Sequence, residues 1–169
     1  MTATTDARRD RAGWPAGQIA LAAAPWLVAA VVPWVVLLVL HDRMPAEVVS
    51  HTGWGGPDGF MAAPSFVAIV TLVFLFQGAV FVPALIKGAQ TNGQYLLTAA
   101  VCWGFGAGEV YFFAVDLQAN ANARGSDLDH AQLLEAYDIN WALHGPVTAV
   151  LAVVAGAAGV LMARKAARR

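Results

Sequence analysis

The chain has 169 residues, of which 59% are hydrophobic and only 12% charged, against roughly 45–50% and about 25% in an ordinary soluble domain. A soluble fold of this length cannot hide that much apolar surface, and a formal net charge of -1 leaves no basic surface to hold nucleic-acid phosphates. The single cysteine, Cys102, closes no internal disulfide, so a disulfide-rich scaffold is excluded along with a disordered chain.

Four segments have the length and composition of membrane-spanning helices. No Asp, Glu, Lys or Arg occurs from Ala12 to Leu40, which predicts a first helix over about 18–40. Pro25 and Pro33 lie roughly on one face of it, each removing a backbone donor. Its apolar stretch exceeds the usual signal-peptide core and no small-x-small site follows before His41, so it is read as retained. A loop over 41–61 leads to a second helix over about 62–86, with Pro83 near its end. The third, about 95–117, is interrupted by Glu109 and Asp116. The loop that follows is long enough for a short surface helix over 127–137, capped by Ser126 and resting Leu128, Ala131, Leu134 and Tyr137 on the membrane. The fourth helix covers about 141–163, with Trp141 as an interfacial anchor. At about 1.5 Å per residue each segment crosses the ~30 Å hydrocarbon core.

The expected fold class is all-α: an integral membrane four-helix bundle forming a single domain over 1–169, in contact with the lipid bilayer. Arg8, Arg9, Arg11, Lys87, Arg164, Lys165, Arg168 and Arg169 fall on one side of this plan and only Arg43 and Arg124 on the other. The positive-inside rule then places both termini in the cytoplasm. Asp42, Glu47, Asp58, Asp127, Asp129, Glu135 and Asp138 make the extracytoplasmic side acidic. Gly104 and Gly108 in the third helix, and Ala152, Ala155, Gly156 and Gly159 in the fourth, predict that these two helices approach closely.

Two groups of residues carry candidate chemistry. Glu109, about 12 Å below the outer surface on a straight helix, Asp116 seven positions on, His144 and His51 are placed to converge on one polar pocket at the outer side of the bundle. Polar glue between helices, a ligand or metal site, and a proton path all fit such a pocket, glue best, since buried carboxylates in a membrane face the bundle and find partners. His51, Glu109 and His144 have the donor chemistry for a metal, whereas His51 and Asp58 of the first loop, two ligands alone, do not make a site. His41 and His130 read as solvated, and Cys102 as a packing residue. The chain has no nucleophile elbow, His-Glu-x-x-His, phosphate-cradling glycine loop or cysteine pair, so neither enzymatic activity nor a cofactor is expected.

The second group is the first extracytoplasmic loop. Gly53, Gly55, Gly56, Pro57 and Gly59 call for tight turns and positive backbone angles, and predict an ordered clasp with His51 and Asp58 as its polar groups. A hydrophobic helix, Met44-Pro45, a five-residue spacer, His51, then Gly56-Pro57-Asp58-Gly59-Phe60 and a second helix form a recognisable pattern. It resembles the bacterial membrane domain of unknown function found at the N-terminal end of Sdp-type toxin-immunity proteins, over about residues 19–86. His51, Gly56, Asp58 and Gly59 carry the match, while Thr52 stands where the family usually has an aromatic, with Trp54 two positions later. The resemblance implies a bacterial plasma-membrane protein that binds or senses a protein or peptide through this loop. The alternative is a small-ligand or metal-binding membrane protein built on Glu109, His144 and His51.

Overall fold

The computed structural model describes residues 16–53, 56–88, 92–123 and 129–166. Four long helices dominate it: α1 (Ala16–Leu40), α2 (Ala63–Gly88), α3 (Asn92–Asn122) and α5 (Trp141–Ala166). All four are long and apolar enough to cross a membrane. Their outer faces support the same reading, because Leu38, Val39, Phe76 and Val153 are 71%, 75%, 69% and 72% exposed. Water would not tolerate so continuous an apolar exterior, whereas lipid tails solvate it. The chain is a multi-pass membrane protein with an all-α bundle.

The buried faces follow helical periodicity. On α1 they are Ala22, Pro25, Trp26, Ala29, Ala30, Pro33, Leu37 and Leu40. Pro25 cannot bond the carbonyl of Leu21 one turn back, and the Trp103 indole N–H of α3 donates to that oxygen at 3.1 Å instead. Nine residues further on, about two and a half turns, the Trp34 indole donates to Thr71 Oγ1, which donates on to Ala30 O and ties α1 to α2. The Trp103 bond lets α1 carry Pro25 without leaving the Leu21 carbonyl orphaned.

The most extensive helix–helix contact is between α3 and α5, as the small residues predict. A methyl group on Gly104 would meet Ala152 O at 2.8 Å, one on Gly156 would meet Ala100 O at 2.9 Å, and one on Gly159 would meet Ala99 O at 2.8 Å. Backbone against backbone at this distance admits only glycine. α1 packs broadly on α2 and α3, whereas α2 barely touches α3 and α1 barely touches α5. Two seams of the bundle are therefore thin.

At one end of the bundle sits a cap. α1 runs into a 3-10 turn at His41–Arg43, and Met44, extended at φ -74 and ψ 131, precedes buried Pro45. The predicted clasp is a β-hairpin, β1 (Glu47–Gly53) antiparallel to β2 (Gly56–Ala62), leading straight into α2. Val48 joins the main core and Val49 a second cluster with Ala123, Leu133, Phe60 and Tyr137. The hairpin is thus clamped between the bundle and α4 (His130–Ala136).

The short helix differs from expectation in two ways. Its N-cap is Asp129, which accepts from Gln132 N at 2.8 Å while the Gln132 side chain accepts from Asp129 N, a reciprocal capping box. Ser126, Asp127 and Leu128, the expected start, lie outside the described residues. Its buried residue is Leu133, outside the expected stripe, which packs on the hairpin cluster, while Ala131 and Leu134 are exposed. His130 is not merely solvated: it stacks on Phe60 with ring centroids 4.0 Å apart and bonds Glu47 Oε2 at 2.6 Å. Helix α3 extends to Asn122, beyond the expected 117. Arg8, Arg9, Arg11, Arg124, Arg168 and Arg169, on which much of the orientation argument rests, lie outside the described residues.

Candidate functional site

The cap owes its shape to irregularities in the hairpin ladder. Val49 pairs with Phe60, His51 with Gly59, and Thr52 with Pro57, so Ser50 and Asp58 are extra residues on opposite strands. Such bulges re-aim side chains. Here the result is that His51 Nδ1 and Asp58 Oδ1 hydrogen-bond to each other across the strands. Their side chains are 70% and 57% exposed, so the pair faces outward. Gly59 is required opposite His51 for space: a methyl there would lie 2.8 Å from His51 Cβ. The reason for this glycine is close approach and not a positive φ. Gly56 pairs with Gly53 at the tip, Pro57 follows it, and Trp54 and Gly55 between the strands lie outside the described residues.

The base of the hairpin is held by a residue the sequence reading missed. Asn120 is fully buried, and its Oδ1 accepts from Val49 N at 2.7 Å while its Nδ2 donates to Val49 O at 3.3 Å and to Asp116 O at 3.0 Å. A primary amide thereby completes both backbone groups of a strand residue. The signal available was an Asn one turn after Asp116, on the same face near the end of an apolar helix. Beside it the Tyr137 hydroxyl donates to Asp116 Oδ1 at 2.5 Å. Burial, and then the Asp116 carboxylate, push the Tyr137 hydroxyl above its ordinary pKa, and it stays a donor. Arg43 Nη2 and Gln118 Nε2 both donate to Asn122 Oδ1, at 3.0 and 2.8 Å, stitching the 3-10 turn to the end of α3.

Glu109, Asp116, His144 and His51 do not form one pocket; each has a different partner. Glu109 Oε1 accepts from Gln77 Nε2 at 3.1 Å across the thin α2–α3 seam. Asp116 takes Tyr137, His51 takes Asp58, and His144 Nδ1 meets the Tyr111 hydroxyl at 2.8 Å. The reason is helical rotation. Residues 109 and 116 point to the α2 and hairpin side of α3, and two positions on from 109 the helix has turned by about 200° towards α5. His144 instead lines a recess of about 310 Å³ with Tyr111, Gln118, Asn122 and Asp138. Among the described residues no three His, Cys, Asp or Glu side chains come together as a metal would need. His51, Glu109 and His144 accordingly do not share a site.

No protein-family model, no curated protein and no solved structure matches the chain.

Proposed function

We propose that this multi-pass protein lies in a bacterial plasma membrane with both termini in the cytoplasm, and that its cap binds a peptide or the extracytoplasmic part of another protein. The observation that carries this reading is the division of the hairpin into a fixed base and an open tip. At the base, Val48 and Val49 are buried and Asn120 bonds both backbone groups of Val49. Towards the tip, Thr52 and the His51–Asp58 pair are exposed. A polar surface on a pre-ordered loop binds at low entropic cost, and binding sites concentrate on loops positioned in this way by rigid scaffolds.

Charge supports both the orientation and the kind of partner. Arg164 and Lys165 end α5 at the pole away from the cap, as the positive-inside rule asks of a cytoplasmic face. The cap carries Asp42, Glu47, Asp58, Asp129, Glu135 and Asp138 against Arg43 among its described residues, which favours a cationic partner. The resemblance of Pro45, His51, Gly56, Pro57, Asp58 and Gly59 to the immunity-type pattern makes a secreted antimicrobial peptide the sharpest version. Photo-crosslinking in cells from positions 52 and 54 tests it. One discrete crosslinked peptide or protein is expected; none, from a folded and inserted protein, would overturn the reading.

A further inference from the structure

Along the side of α3 away from Glu109 lie two neighbouring cavities with lining residues in common. Because α1 and α5 barely touch, α3 lies exposed between them as the floor of an apolar groove of about 450 Å³. Gly106, Ala107 and Ala114 make that floor, Pro25 and Val28 one wall, Val154 and Ala155 the other. The recess of about 310 Å³ lined by His144, Gln118 and Asp138 opens at one end of it. Tyr111 and Ala114 line both. Tyr111 marks the change of chemistry, its ring in the groove and its hydroxyl on His144 in the recess.

We infer that groove and recess together hold one lipid, its acyl chain along α3 and a primary-ammonium headgroup in the recess. The dimensions match a single leaflet. From Trp103 to Ala114 the groove follows α3 for about 17 Å, and half of a ~30 Å hydrocarbon core is ~15 Å. The polar end is at headgroup level, because exposed Trp141, stacked on Phe112, sits less than one helical turn from His144. The charge selects the headgroup. Among the described residues Asp138 is the one formally charged residue lining the recess and no Lys or Arg lines it, Arg43 reaching its edge only through Asn122 Oδ1. A phosphoglycerol headgroup brings a net negative charge against that carboxylate. An ethanolamine headgroup brings an ammonium with three donors, for which Asp138, the Gln118 carbonyl and the Tyr111–His144 pair supply acceptors. A trimethylammonium has the charge but no donors. This inference rests only on the chain spanning a membrane, and stands or falls separately from peptide recognition by the cap.

Native mass spectrometry of the full chain, released from micelles containing equal amounts of phosphatidylethanolamine, phosphatidylglycerol and phosphatidylcholine of one chain length, tests it. One retained phosphatidylethanolamine is expected, favoured about fivefold over the other two, the size of one partly exposed charge interaction near a membrane surface. Asp138→Asn, at an exposed position, should abolish the preference while leaving the fold intact. Ala155→Leu, which fills the groove, should reduce retention of all three lipids; circular dichroism confirms that the helices remain. Equal retention of the three lipids by the unaltered protein, or an undiminished preference in Asp138→Asn, would overturn the assignment. If dissolved ethanolamine alone raises thermal stability and no lipid is retained, the recess takes a free amine and the lipid assignment is wrong.

Discussion

Glu109→Ala is expected to destabilise the bundle, whereas Glu109→Gln is not. Glu109 Oε1 accepts the Gln77 amide across the α2–α3 seam, while Glu109 Oε2 and Gln77 Oε1 are both buried without a hydrogen-bond partner. An amide at position 109 keeps the acceptor and adds an N–H group, for which Gln77 Oε1 is an open acceptor, so that two amides can pair through both edges. It also removes a carboxyl group from a membrane span, where such groups are costly. Glu109→Gln should therefore be neutral or more stable by up to about 1 kcal/mol, the net worth of one hydrogen bond. Alanine leaves the whole Gln77 amide unpartnered. That costs about 1–3 kcal/mol in a protein interior, tempered in membranes, where interhelical hydrogen bonds average about 0.6 and reach about 1.7 kcal/mol. A loss of about 1–2 kcal/mol is expected. Reversible unfolding in mixed micelles by increasing sodium dodecyl sulfate, followed by circular dichroism, measures both. A loss of more than about 1 kcal/mol in Glu109→Gln would refute the view that this pair is polar glue.

Three further changes probe the packing, the cap and the orientation. Gly156→Ala should cost about 1–3 kcal/mol, since its methyl meets the Ala100 carbonyl, whereas Gly108→Ala, whose nearest neighbour is Thr148 Cγ2 at 3.6 Å, should be tolerated in the same assay. Asn120→Ala leaves the buried Val49 N–H without an acceptor, at about 1–3 kcal/mol, and hydrogen exchange should show Val49 losing protection while α1 and α3 keep theirs. In intact cells a membrane-impermeant maleimide should label Thr52→Cys and spare Ala166→Cys, with Cys102 replaced by Ser; the reverse pattern would invert the proposed topology.

The membrane plan was legible because it depends on one-dimensional quantities: runs without charge fix the four helices to within a few residues, except at the cap end of α3. There the sequence turns polar, and hydropathy loses the helix at Leu117 although its hydrogen bonds continue to Asn122. The α3–α5 contact was legible because small residues at four-residue spacing have few other uses in lipid. The hairpin was not. Val48 and Val49 are buried on opposite faces, so β1 lacks alternation, and the bulges at Ser50 in β1 and Asp58 in β2 break the period again. The polar residues were found but not their partners. Asp116 is paired by Tyr137, 21 positions away, and Glu109 by Gln77, 32 positions away, separations over which a sequence carries no pairing signal.

Helix α3 has 31 residues, about 46 Å, and so overhangs a ~30 Å core by about half its width. Asn120 sits on the last turn of that overhang with its amide gripping both sides of Val49. Some sixteen residues below, Gly104 bears on Ala152 with no free space. The helix is therefore a shaft with a handle at one end and a keyed bearing at the other. A pull on the hairpin reaches it as a torque, and a rotation of even part of a turn would drive the Gly104 and Gly156 contacts into overlap. Asn120 thus fastens the hairpin to a helix whose rotation the Gly104 and Gly156 contacts oppose.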